Sequence, residues 1–175
     1  MNEPMSMSTG EPKRPVVGRP EIPDGYGIPE DNKDLLPWSY VQEQMNAARN
    51  YWVCTVRPDG RPHVTPVWGV WIDDVLYIEG SLETRRAQNL RANPAVAVHL
   101  ESGTDVVIIE GEAREVPKPD SALGQRLSEK YRDKYAAMGY APGPDAWDNG
   151  GLFAVHPKTV LAWTKFPQDT TRFQF

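Results

Sequence analysis

Cysteine is almost missing from this chain. Cys54 stands alone, so no internal disulfide can form, and no CxxC pair offers thiolate ligands to a metal. A reducing, cytoplasmic compartment fits that usage. Histidine is scarce too: His63, His99 and His156 are far apart, none in an HxH or HxxxH spacing, which leaves no metal site to read. No run of about 18 apolar residues occurs, so no membrane span is expected. Basic residues are outnumbered, 19 Lys and Arg against 24 Asp and Glu, and the net charge of −5 argues against a general nucleic-acid binder. The nucleophile elbow GxSxG and the phosphate loop GxxxxGK[ST] are both absent. The paired carboxylates Asp73-Asp74 occupy a hairpin turn, and turn geometry alone explains them. No side chain stands out as a catalytic acid, base or nucleophile. That gap suits chemistry carried by a cofactor.

Residues 1–35 are rich in proline, glycine and charge and hold no lasting apolar period. They read as a flexible or surface-wrapping arm that adds little to stability, and without an apolar core of about 7–15 residues they do not read as a signal peptide. Residues 36–175 then form one domain.

Aromatic residues are plentiful, with six Trp and seven Tyr, enough to line a pocket or an interface as well as a core. "WSYVQEQMNAARN" reads as a helix, with Ser39 and Gln42 as a capping box and Trp38, Val41, Met45 and Ala48 on one face. "YWVCTV" and "RPHVTPVWGVWI" flank Pro58-Asp59-Gly60, a tight-turn signal, and make an antiparallel hairpin. "DDVLYIEG" adds a strand, and "AVAVHLE" and "DVVIIEGEAREV" add two more. Cys54, mid-strand, reads as a small buried thiol. Leu123, Leu127, Tyr131 and Tyr135 stripe a helix that stops near Gly139. "LFAVHPKTVLAWTKF" reads as two strands broken at His156-Pro157, and "TTRFQF" closes the chain. The pattern is mainly β, an antiparallel barrel with helices at its margin.

One stretch is unusual. In "GSLETRRAQNLRANP", Thr84 is a good helix N-cap and Asn93-Pro94 a stop, yet Arg85 and Arg86 occupy the first turn. Unpaired N–H groups already make that turn positive, so two arginines there call for an anion or for a salt bridge to Glu83. With Ser81 and Thr84 they would make a phosphate cradle.

Taken in order, "RPHVTPVW", "LYIEGSLETRRAQNLRANPAVAVHLE", "DVVIIEGEAREV" and "VLAWTKFPQDTTRF" resemble the pyridoxamine 5′-phosphate oxidase-like split β-barrel flavoproteins, with the FMN-binding split-barrel fold, over about residues 37–175. The likeness is nearest to the branch that binds a flavin or the deazaflavin coenzyme F420. It implies a homodimeric oxidoreductase with two identical sites at the subunit interface, acting on a small-molecule substrate. His63, Val64, Thr65, Pro66 and Val67 would run under the ring. Ser81, Thr84, Arg85 and Arg86 would hold the phosphate, although the family usually has Lys where Arg86 stands. Asp105, Trp163 and Arg172 would approach from the second subunit, and Trp68 and Trp71 would favour a flat apolar substrate. Arg57, Arg61 and Arg91 add cations near the cradle, which favours F420 with its carboxylate tail over FMN. The rivals are an FMN enzyme and a flavin or haem carrier without turnover.

Overall fold

The computed structural model describes residues 14–175. Among them the chain runs β1 (Val16–Gly18), α1 (Trp38–Ala47), β2 (Tyr51–Val56), β3 (Pro62–Val67), β4 (Gly69–Ile72), β5 (Val75–Glu79), α2 (Arg85–Ala92), β6 (Ala95–His99), β7 (Val106–Val116), α3 (Ser121–Tyr135), β8 (Leu152–Trp163) and β9 (Thr171–Gln174). All strand pairings are antiparallel. The strands neighbour one another in the order β1-β9-β8-β7-β6-β2-β3, with β4 on β5 and β5 on β8.

β8 organises this sheet. One of its edges pairs with β7 along its whole length; the other is divided, Leu152–Val155 with β5 and Thr159–Ala162 with β9. The sheet forks there, and it does not close. At Trp68 the chain leaves β2 and joins β5 instead, so β3 is hydrogen-bonded on one side only. The result is the antiparallel split barrel expected from the sequence.

Alternation along the strands builds the core. On β2, Tyr51, Val53 and Thr55 point inward, while Trp52, Cys54 and Val56 face out. Inside the barrel Val53, Leu76, Ile78, Val98, Ile109 and Val155 pack together, and α1 closes one side with Val41 and Met45. A second cluster lies under α3, where Leu127, Tyr131 and Tyr135 meet Val70, Ile72, Trp147 and Leu152. Each large side chain buried this way contributes roughly 1.5–3 kcal/mol.

Three local expectations change. β8 is one unbroken strand, because its Pro157 falls opposite Gly111 at a register shift in β7. A bulge is a place where a proline costs no ladder hydrogen bond. Gly111 is required there: a Cβ would stand 2.1 Å from the His156 carbonyl oxygen. The capping box of α1 does not form; Pro37 precedes the helix, and Gln42 Nε2 donates to Asp74 Oδ1 at 2.8 Å. Trp38 Nε1 donates to the same oxygen at 3.1 Å, so a turn from another part of the chain captures both side chains. Cys54 is half-buried on the outward face, not in the core.

The arm, from Arg14 on, lies against the barrel. β1 extends the sheet on β9, and Arg19 donates to the carbonyls of Asp31, Lys33, Gln168 and Thr170. Residues 1–13 of the expected arm fall outside the described residues. Among the described residues, no helix is long and apolar enough to cross a membrane.

Candidate functional site

Two features meet at the His63 end of β3. The first is the open strand edge. Arg57 N donates to the Arg61 carbonyl at 2.9 Å across the hairpin turn, which fixes the alternation of the ladder. Arg57/Arg61, Thr55/His63 and Val53/Thr65 are then the hydrogen-bonded pairs, and Pro62, Val64 and Pro66 turn their backbone groups to the free edge. The two prolines have no N–H. The edge therefore offers a single donor, the Val64 N–H, flanked by carbonyl acceptors. Val64 itself is 52 % exposed.

The second feature is the start of α2. Thr84 is the N-cap, its hydroxyl accepting from Ala87 N at 3.2 Å and donating to the Ser81 carbonyl at 2.8 Å. Its one proton goes to the Ser81 carbonyl, and in this arrangement Thr84 shapes the cradle by capping the helix. Ser81 Oγ accepts from Glu83 N and keeps its own proton to donate. The N–H groups of Arg85 and Arg86 remain for an outside acceptor.

The two arginines part company. Arg85 is exposed and, among the described residues, forms no ion pair with Glu83 or any other carboxylate. Arg86 is only 6 % exposed, and its Nη2 donates to the Glu79 carbonyl at 2.6 Å. Burial pulls its pKa down, and Tyr131 and Glu79 oppose that shift. Arg86 thus reaches the phosphate cradle through its backbone and its field, not by a guanidinium fork. Its Nε is buried without a partner, as is Nε of Arg57. Of the other cations, Arg61 pairs with Asp59 at 2.7 Å and Arg91 with Glu115 at 2.8 Å.

His63 registers the resulting field. Burial lowers its pKa first, and Arg57, Arg85 and Arg86 lower it further. Its Nδ1 lies 3.4 Å from Thr55 Oγ1, which accepts from Asn89 Nδ2 at 2.9 Å. Asn89 is fully buried and its Oδ1 has no partner. This chain of contacts ties α2 to β2 and β3. A strand edge with one donor and several acceptors, beside a positive cradle holding orphaned polar atoms, fits a flat ring that carries a phosphate.

Residues 39–164 match the family described as pyridoxamine 5′-phosphate oxidase. The chain belongs to that family. No curated protein matches it significantly in sequence. Among solved structures, a conserved hypothetical protein of Mycobacterium tuberculosis is 26 % identical with a TM-score of 0.59, over 77 % of this chain and 89 % of that one. A protein named F420 reductase is 24 % identical with a TM-score of 0.53, over 79 % and 98 %. The haem storage protein HutZ of Vibrio cholerae is 20 % identical with a TM-score of 0.55, over 71 % and 92 %.

The other residues expected from the resemblance lie elsewhere in this flavin-binding family's fold. Asp105 is exposed just before β7, Trp163 ends β8 opposite Val106, and Arg172 lies on β9 opposite Leu161. Five strands separate β3 from β8 along the sheet when both are counted, a distance of roughly 19 Å at the usual strand spacing. Along the sheet, none of the three lies on β3 or on the strand beside it. Trp68 stacks on Tyr135 with ring centres 4.7 Å apart, and Trp71, 4 % exposed, borders a cavity between α1 and α3 with Val70, away from the β3 edge.

Arg57 was expected near the cradle as an added cation; Glu79 and Asn89 were not expected in the site. Asn89 did carry a signal: it sits between Ala87 and Leu90 in the first register of α2 that faces the barrel. Nothing in the sequence marks the Glu79 carbonyl as the partner of Arg86.

Proposed function

We propose that the protein is a homodimeric oxidoreductase that holds coenzyme F420 along the open edge of β3 and serves hydride transfer with a small, flat organic substrate. The observation that carries this reading is the unpaired edge of β3, with its single Val64 donor, tied to the start of α2 through His63, Thr55 and Asn89. When bound, the deazaflavin supplies the hydride chemistry. The Val64 N–H and its flanking carbonyls orient the polar edge of the ring. Ser81, the first N–H groups of α2 and the Arg85 guanidinium hold the phosphate, with Arg57 facing them. His63, kept neutral, adds no charge to the ring's surroundings.

The choice of F420 rests on cations beyond those one phosphate needs. Arg57 and Arg85 are without carboxylate partners among the described residues. Arg61 is held only by a surface pair whose members are 69 % and 52 % exposed, worth roughly 0–1 kcal/mol. A carboxylate tail can take Asp59's place at small cost. FMN is the second reading, favoured by the loss of Arg91 to Glu115 and of the Arg86 guanidinium to Glu79.

The dimer would bury the outward face of β2, β3 and β6. There Cys54, Val56, Pro62, Ala95 and Ala97 line an open groove of about 570 Å³, and Val56 is 38 % exposed. Two-fold pairing would also give Asp105, Trp163 and Arg172 a site to serve, that of the other subunit.

Parallel fluorescence titrations with F420 and FMN, at low and high salt, test the cofactor. The expected result is tighter F420 binding that salt weakens more. FMN retained through purification with no F420 binding promotes the second reading, and binding of neither overturns both. Light scattering should give twice the 19.7 kDa chain mass.

A further inference from the structure

Lys134 is a half-buried amine with no role in the site above. Its stem runs in from α3 and leaves Nζ 2.6 Å from the Tyr51 hydroxyl and 3.3 Å from the Gly69 carbonyl. Among the described residues it forms no ion pair with any carboxylate. The Tyr51 hydroxyl donates onward to the Met45 carbonyl, and the Tyr135 hydroxyl is taken up by Arg49 and Gly69. Both phenols therefore act toward the amine as fixed, uncharged surroundings. Their rings lie 4.8 and 5.7 Å from Nζ, contacts that favour an ammonium. Burial outweighs them, and Lys130, one turn earlier on the same helix, adds its repulsion; together they bring the amine down to about 8.

The hydrogen bonds decide what that amine can do. Both partners of Nζ accept, and a neutral NH₂ has two protons, so it satisfies both without charge. Its lone pair is then left for the remaining tetrahedral direction. A cavity of about 250 Å³ borders the side chain, walled by Val70 and Trp71 and rimmed by Asn46, Lys130 and Asp133. It lies between α1 and α3 over β4. The site thus combines a nucleophile, an apolar wall and a carboxylate at its rim.

We propose that Lys134 is a reactive amine that condenses reversibly with a small aldehyde of a few carbons held in this cavity. The Nζ lone pair forms a C–N bond to the carbonyl carbon, whose oxygen takes up the proton that the nitrogen gives up. The carbinolamine then loses its oxygen as water, with the second nitrogen proton, and leaves a C=N bond. Amine and aldehyde become imine and water, and no oxidant or reductant takes part. Asp133 is placed to carry the protons, Val70 and Trp71 to hold the alkyl chain, and Lys130 to keep the amine from charging.

Reductive trapping tests this on the intact, full-length protein. The chain is treated with a limiting amount of butyraldehyde and cyanoborohydride at neutral pH, then mapped by peptide mass spectrometry. Lys134 should be labelled at least about tenfold faster than the exposed Lys118, Lys130 and Lys158. Its labelling rate should level off near pH 8 instead of climbing into the range of free lysines. Equal labelling of all lysines, or labelling of Lys134 only after unfolding, overturns the proposal. Because the measurement uses the unaltered chain, no variant has to fold for it to be decisive.

Discussion

The guanidinium of Arg86 lies 2.6 Å from the main-chain oxygen of Glu79, while the side chain of Arg85 next to it stands in water. Two adjacent and chemically identical residues thus have different work. Arg86 fastens α2 to the end of β5, and Arg85 stays exposed.

Alanine substitutions should separate the two. Arg86→Ala strands a buried carbonyl and opens a hole under α2, so urea denaturation should show a loss of about 1–3 kcal/mol. Arg85→Ala should leave the urea midpoint unchanged and weaken binding of the phosphate-bearing cofactor by about 10- to 150-fold, the range for one charge-assisted contact. Matched denaturation and titration curves of the two variants check both statements.

Gly111→Ala should be among the most damaging single changes in the sheet. Its Cβ would have to share space with the His156 carbonyl, 2.1 Å away and part of the backbone, where no side-chain rotation relieves it. Either β7 and β8 move apart or the bulge is lost, at a cost of about 1–3 kcal/mol or more. Thermal denaturation beside Gly103→Ala, where a Cβ meets open space, isolates the effect.

The N-terminal segment should matter to stability, against the expectation from its composition. Deleting residues 1–30 removes β1 and all four contacts of Arg19. A loss near 2 kcal/mol lowers the thermal midpoint of a chain this size by about 4–8 °C. Arg19→Ala alone should reproduce part of the drop in a thermal melt.

Acid should weaken the fold through its histidines. Burial and the neighbouring arginines lower the pKa of His63 from 6.5, and burial and Arg114 lower that of His156 against the opposing pull of Glu112. As pH falls through about 6.5 the unfolded chain takes up these protons and the folded chain does not, so stability declines. It is fully present above that value. His63→Gln should flatten the pH dependence of the urea midpoint between pH 7 and 5, while leaving the value at higher pH little changed.

How much of this was legible depended on whether the deciding partner lay nearby in sequence. The α2 helix was, because Thr84 and Asn93-Pro94 bound it and the N-cap bond to Ala87 closes within three residues. The Asp73-Asp74 turn was too, since two short polar residues tolerate the positive φ of 51° and 63° found there. Pro157 misled because the residue that excuses it, Gly111, is remote and belongs to another strand. Ser39 and Gln42 spelled a capping box, yet Asp74 won the glutamine. For the site, the cradle at Ser81 was read from local pattern, while residues 63–67 were placed by the family resemblance and their open edge shows only once the pairing of β3 is known. The inward turn of Arg86 did not, because a main-chain carbonyl has no letter in the sequence.

The forked edge of β8 also bears on how the chain is made. β5, β7 and β9 all depend on residues 152–163 for their ladders. While a ribosome is still short of that segment, β5 and β7 have edges with nothing to match them, and such edges recruit other chains. The last seventh of the sequence therefore works as a keystone: a message truncated before it should yield an aggregating fragment and not a smaller stable barrel.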